Sequence, residues 1–212
     1  MSYATVPELL AFAEDRFRDA PAIITTHRSE SFRELARSAR SAAAALRHRG
    51  LNPGDRVLIA APNSPPLVHA WLGAIWAGGI PAAVNPELTT PEIDYLRDDL
   101  HPAVTLLRGE IEALDATVVE SETPPVAVQP LDVAAIVYTS GTTSRPKGVM
   151  VRHAAYTETG RSFPGWIGLE GPQRLWVCLP LFHINAQAYS LMCALAHGFG
   201  VALTAKFHAS TF

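Results

Sequence analysis

The stretch RVLIAAPNSPPLVHAWLGAIWAGGIPAAV, residues 56–84, decides the fold class. It opens on a short apolar run, Val57 to Ala60, whose unbroken hydrophobicity suits a strand covered on both faces. Ser64 then supplies a helix N-cap with Pro65 at the first helical position, and Leu67, Trp71, Ala74 and Ile75 follow until Gly78 stops the helix. Ile80 to Val84 is strand again. Beyond it, Thr90 and Pro91 open a helix with Ile93, Leu96 and Leu100 on one face, and Val104 to Leu107 follows as strand. Three strands alternating with two helices over Arg56 to Leu107 predict an α/β fold: mostly parallel sheet with helical crossovers on both faces.

Outward from this core the pattern continues. Upstream, Ser31 and Glu34 have capping-box spacing, and Phe32, Leu35, Ala36, Ala39, Ala43 and Leu46 recur at helical intervals until Gly50. Downstream, SETPPVAVQP (Ser121 to Pro130) carries three prolines and reads as an extended connector. This predicts an N-terminal α/β subdomain over residues 1–120, a connector over 121–131 and the start of a second α/β region over 132–212. In that second region Ala134 to Thr139 reads as strand, Val149 to Val151 as a further apolar run, and a helix begins near His153. Arg174 to Leu179 is strand, Asn185 to Ala196 helix, and Gly200 to Ala205 strand.

Composition bounds the function. The 212 residues are 48% hydrophobic and 17% charged, with a mean hydropathy of +0.12, which excludes disorder and calls for a sizeable core. With 17 basic against 20 acidic residues, a net charge of −3 and no basic run, composition disfavours nucleic acid as the main partner. The two cysteines, Cys178 and Cys193, sit in apolar stretches and no secretory pattern opens the chain, so a reduced, cytoplasmic protein is expected. The eight histidines lack ligand spacing, so no metal site held by protein alone is expected. Leu67 to Val84 and Leu175 to Ala205 reach membrane-spanning length, but Gly78, Gly79, Pro81, Pro180, His183, Asn185, Gln187 and Gly198 interrupt them. Both read as buried helix and strand pairs, without a membrane span.

One loop carries chemistry. TSGTTSRPKGV, residues 139–149, brings together the hydroxyls of Thr139, Ser140, Thr142, Thr143 and Ser144, the glycines Gly141 and Gly148, and the cations Arg145 and Lys147. Hydroxyls and free backbone N–H groups can surround phosphate oxygens, glycines let the main chain come close, and the cations offset charge. It is not a Walker A loop, because Pro146 and Gly148 stand where that pattern needs Gly and Ser or Thr. Composition alone admits a plain hairpin turn equally well.

The order of residues is more specific. TSGTTSRPKG resembles the phosphate-binding signature of the ANL superfamily of adenylating enzymes (TSG, Ser or Thr, then TGxPKG), with Ser144 in place of the usual glycine. Its wording is similar to that of carnitine and crotonobetaine CoA ligases. NPGDRV (Asn52 to Val57), the segment from Gly73 to Asp99 and LPLFHINAQ (Leu179 to Gln187) are similar to family segments in the family's order, so the resemblance covers nearly the whole chain.

The resemblance implies the first half of the large N-terminal domain of an acyl-CoA synthetase. The implied reaction joins a small carboxylic acid to ATP, with Mg2+ carried on the nucleotide, giving acyl-adenylate and pyrophosphate, and then passes the acyl group to CoA. It implies that Thr139, Ser140, Gly141, Thr142, Thr143, Ser144, Arg145, Lys147 and Gly148 hold the phosphates, with Lys147 stabilising the leaving charge. His183 is implied as a catalytic residue beside the acyl pocket and thiol tunnel, with Asn185 and Gln187 on the pocket wall. Without the resemblance, His183 reads as a hydrogen-bonded turn residue, Asn185 as a helix N-cap, Lys206 as a solvated charge, and Asp94, Asp98 and Asp99 as an exposed helix face.

The family's adenine-binding aromatic-Gly-x-Thr-Glu segment, ribose-binding Asp, hinge and C-terminal catalytic lysine are not found before Phe212. The expectation is therefore a chain not catalytically complete alone, its last strands covered by a missing C-terminal half, by another chain or by a second copy in a homodimer. The other reading is a non-catalytic nucleotide- or partner-binding fragment of the same fold.

Overall fold

The computed structural model describes residues 3–117, 124–139 and 145–205. Helix α1 (Val6–Phe17) is closed by a capping box in which the Glu8 N–H donates to Thr5 Oγ1 and the Thr5 N–H to Glu8. Strands β1 (Pro21–Ile24) and β2 (Ser29–Ser31) lead into α2 (Phe32–His48), where the Ser31 and Glu34 box forms as its spacing predicts. Then come β3 (Arg56–Ala60), α3 (Pro65–Trp76), β4 (Ile80–Val84), α4 (Thr90–Leu100), β5 (Val104–Leu107) and α5 (Arg108–Ala116). After the proline-rich stretch follow β6 (Val133–Thr139), β7 (Lys147–Arg152), α6 (His153–Ile167) and β8 (Arg174–Val177). A π-helix (Ala186–Leu191) runs into α7 (Met192–His197), and β9 (Gly200–Leu203) ends the regular structure.

The strand–helix alternation of residues 56–107 forms a parallel sheet in the order β4-β3-β5, with Val57 opposite both Pro81 and Val104. From Leu67 to Trp76 every residue of α3 is buried, because a helix that is apolar on nearly every face, with His69 the polar exception, is stable only as a central element between α2 and the sheet. On the opposite face α4 buries Leu96 and Leu100 with Leu58, Ala60, Ala82 and Val84 in a second core. Strand β6 lies alongside β4 and adds Ile136 and Tyr138 to that core.

A second sheet has the order β2-β1-β9-β8, with β1 parallel to β9 and β9 parallel to β8. The segments before and after the proline-rich connector therefore share one sheet and one large core, in which Leu9, Phe32 and Tyr156 pack with Leu195. Val126 of the connector donates to the Trp76 carbonyl oxygen at 3.1 Å, which binds it to the end of α3.

In this sheet β9 is an inner strand and β8 lies at the edge. Val201 and Leu203 of β9 are buried between β1 and β8, and only Trp176, Leu179 and Ile184 of the stretch Leu175 to Ala205 stand exposed as large apolar side chains among the described residues. Larger exposure falls at Leu131, Val149 and Met150 around the outer strand β7 and at Trp166 and Ile167 ending α6. Met150 alone is 69% exposed on a strand with a ladder partner on one side only. An apolar fluorescent dye is expected to bind the chain at neutral pH and to lose much of its signal with Val149→Thr and Met150→Lys together. A wild-type chain that leaves the dye dark would contradict this. No helix among the described residues is long and apolar enough to cross a membrane.

Candidate functional site

Strands β6 and β7 are antiparallel, with Tyr138 opposite Gly148 and Thr139 opposite Lys147 as the last ladder pair. In sequence the candidate phosphate loop lies between the two residues of that last pair and continues onto β7. Ser140, Gly141, Thr142, Thr143 and Ser144 lie outside the described residues. Thr139, Arg145, Lys147 and Gly148 are brought together at the exposed end of the hairpin. Among the described residues the Lys147 ammonium has no ion-pair partner, which leaves a free cation where an anion can approach.

The limbs of this hairpin are held from α4. The Tyr138 hydroxyl donates to Asp99 Oδ2 at 2.7 Å, and the Tyr95 hydroxyl donates to the Pro146 carbonyl oxygen at 3.3 Å. The Arg145 guanidinium lies over the Tyr95 ring, 5.6 Å from its centroid. Burial, then the hydrogen bond to Asp99, pushes the Tyr138 phenol well above its ordinary range and keeps it a donor. Asp99 is thus an acceptor for the hairpin, not part of a merely solvated face, whereas Asp94 pairs with Arg97 at 3.2 Å. Gly148 is bare for a reason: a Cβ there would lie 3.0 Å from Ile136 Cγ2 and 3.5 Å from the Tyr138 ring.

The second predicted cluster lies on the turn after β8. His183 is exposed, its backbone N–H donates to the Pro180 carbonyl at 3.0 Å, and its ring packs on Phe182 with centroids 4.4 Å apart. Asn185 is exposed at the start of the π-helix and makes no capping hydrogen bond, so the N-cap reading does not hold. Gln187 is buried at 2% exposure with its amide engaged at both ends, Nε2 donating to the Leu181 carbonyl at 2.6 Å and Oε1 accepting from Tyr156 Oη at 2.5 Å. It borders a narrow apolar cavity of about 10 Å³ with Leu67, Trp71 and Leu191. Its amide serves the turn first.

Asn63, which the sequence reading does not single out, fixes that turn from the end of β3. Its Nδ2 donates to the Leu179 carbonyl at 3.0 Å and its Oδ1 accepts from the Leu181 N–H at 2.7 Å. The partners are more than a hundred residues apart in sequence, so no local signal could reveal the link. A larger, open cavity of about 470 Å³ lies outside the carboxyl ends of β3, β4 and β5, lined by Pro62, Glu87, Ile93, Arg97 and Arg108 among others. This is the side of a parallel sheet on which ligands gather.

Comparison with known proteins fits this architecture. The family model described as AMP-binding enzyme matches residues 10–212. The 4-coumarate–CoA ligase 2 of Nicotiana tabacum is 29% identical over 217 residues, covering 86% of this chain and 39% of that protein. Surfactin synthase subunit 1 of Bacillus subtilis (strain 168) is 29% identical over 206 residues, covering 92% of this chain and 6% of that protein. Among solved structures, ATP-bound MatB from Rhodopseudomonas palustris superposes with a TM-score of 0.86 at 25% identity, over 98% of this chain and 46% of that one. The Klebsiella oxytoca NpsA N-terminal subdomain in complex with 3-hydroxybenzoyl-AMSN gives 0.85 at 24% identity, over 96% and 54%.

The chain belongs to the AMP-binding enzyme family, within the ANL superfamily of adenylating enzymes, and corresponds to its N-terminal portion. It spans about two fifths of the matched plant ligase and about half of the matched solved chains.

Proposed function

We propose that this chain is the N-terminal part of an ATP-dependent acyl-CoA synthetase, in which the end of the β6–β7 hairpin holds the phosphate tail of ATP. One observation carries the reading: Arg145 and Lys147 stand together on the outgoing limb of a hairpin end at which the lysine ammonium has no ion-pair partner among the described residues. A carboxylate attacking the α-phosphorus of ATP forms the acyl-adenylate and expels pyrophosphate. Lys147 offsets the charge gathering on that leaving group, Arg145 adds a second cation, and the Thr139 hydroxyl orients an oxygen.

Mg2+ would arrive bound to the nucleotide and neutralise part of the same charge. His183 would stand at the mouth of the acyl and thiol path, with Asn185 beside it. For the thiol co-substrate CoA, whose far end is rich in phosphate, the open cavity offers the guanidinium groups of Arg97 and Arg108. The carboxylic acid is not specified by these residues. Full chemistry would need the remaining length that the matched relatives have.

Titration of the chain with inorganic pyrophosphate and with MgATP tests the reading. Weak, millimolar binding is expected, falling with added salt. Lys147→Ala should weaken it at least about tenfold, since one charge-assisted contact contributes roughly 1.5–3 kcal/mol. Equal affinity in the variant, or none in the wild type, would remove the hairpin end from the account. Residues 1–212 alone are expected to give no ATP–pyrophosphate exchange with a panel of carboxylic acids.

A further inference from the structure

We propose that α4 sets the direction of the two described limbs of the hairpin end, with Tyr95 and Asp99 as positioning residues, one on each limb; this rests on the reading of the hairpin end as a phosphate grip. Tyr95 and Asp99 are four residues apart, so they stand one above the other on a single face of α4. That helix is a firm base. Leu96 and Leu100 anchor it in the second core, and Thr89 and Glu92 close its first turn.

From this face Asp99 accepts from Tyr138 on the incoming limb, and Tyr95 donates to Pro146 on the outgoing limb. Each contact falls one residue before a member of the last ladder pair, Thr139 and Lys147. Pro146 has no N–H, so its carbonyl is its only backbone hydrogen-bonding group, and the Tyr95 hydroxyl fixes that carbonyl's direction. The direction of the next residue, Lys147, follows. The Tyr95 ring beneath Arg145 gives the second cation a fixed station as well. On the incoming side the Tyr138 ring rests over bare Gly148, so its hydroxyl reaches Asp99 without a side chain between the strands.

The consequence is preorganisation. A limb whose two cations are already aimed has less freedom to lose when an anion arrives, so these ties act on affinity more than on stability. They also explain why an acidic residue lies near a phosphate site: Asp99 is occupied by a neutral phenol on the limb and does not meet the ligand.

The test uses the whole chain and inorganic pyrophosphate. The double variant Tyr95→Phe with Tyr138→Phe keeps both rings and removes both hydroxyl ties. It should retain the wild-type circular dichroism and bind pyrophosphate about tenfold more weakly. Tyr95→Leu, which also removes the ring under Arg145, should bind more weakly than Tyr95→Phe, so that the conservative change partly rescues it. Should Tyr95→Leu not fold, the double variant decides alone. A purely structural role predicts lower melting temperatures with pyrophosphate affinity unchanged, and that result overturns the proposal while the phosphate-grip reading stands. Absence of pyrophosphate binding in the wild type overturns both together.

Discussion

His69→Ala is expected to cost the fold about 3–5 kcal/mol, because it removes one partner of a buried charge cluster and strands the other. His69 lies on α3 at 2% exposure, with Nδ1 2.6 Å from Asp115 Oδ1 on α5 and Nε2 2.9 Å from Glu30 Oε2 on β2. A neutral imidazole has one N–H and cannot donate to both carboxylates, so the geometry calls for the imidazolium. Burial opposes that charge, but the hydrogen bonds that the ring donates to Asp115 and Glu30 outweigh it and raise the pKa from its ordinary 6.5 to about 9. Glu30 is 1% exposed; Ser38 Oγ donates to its Oε1 at 3.0 Å, and the Arg28 guanidinium stands 3.9 Å from the same oxygen. These are weak substitutes for the imidazolium.

The sign with pH follows from a folded-state pKa above the unfolded one. The stabilisation is complete below the unfolded value of 6.5 and is lost as pH rises through about 9. Within that window it falls by up to about 1.4 kcal/mol per pH unit. Urea unfolding should therefore show a large gap between wild type and His69→Ala near about pH 6 that narrows toward about pH 10. Glu30→Gln added to His69→Ala should recover part of the loss by removing the stranded charge. A gap that stays constant with pH would mean that the cluster is not charged as argued.

Much of the fold is legible from residues near each other in sequence. The Ser31 and Glu34 box, Pro65 after Ser64, and the apolar runs of β3, β4 and β5 are local signals, and each element forms where they place it. The Thr5 and Glu8 box that starts α1 is an equally local signal that the sequence reading passes over. What is not legible is pairing at a distance. That β1 lies beside β9, that Asn63 holds the turn before His183, and that His69 joins Glu30 to Asp115 depend on the whole packing. At the candidate site the loop wording singles out Lys147 and Arg145, but the sequence alone passes over Tyr95 and gives Asp99 as part of an exposed helix face. Their hydrogen bonds to the hairpin become visible only when α4 is set across its limbs.

Gly73→Ala and Gly165→Ala, the same chemical change inside two helices, are expected to move stability in opposite directions. Alanine in a helix gains up to about 1 kcal/mol over glycine by restricting the unfolded chain. At Gly165 of α6 a Cβ would meet nothing within 4 Å, so that gain should appear. At Gly73 a Cβ would lie 2.7 Å from the Ala39 carbonyl oxygen, 2.8 Å from Ala42 Cβ and 2.9 Å from the Ala43 backbone nitrogen. Two of these are backbone atoms, which cannot turn aside as a side-chain tip does, so α2 and α3 would have to separate. Overpacking of this kind costs about 1–3 kcal/mol, which exceeds the propensity gain, and Gly73→Leu should prevent folding altogether. The run of alanines on α2 and the glycine on α3 are thus one device, small side chains that let the two helices cross closely above the β4-β3-β5 sheet. Thermal unfolding decides the matter: Gly73→Ala should melt several degrees below wild type, at about 2–4 °C per kcal/mol for a chain of this size, while Gly165→Ala melts at or above it. A Gly73→Ala protein as stable as wild type would show that the crossing has room the structure denies.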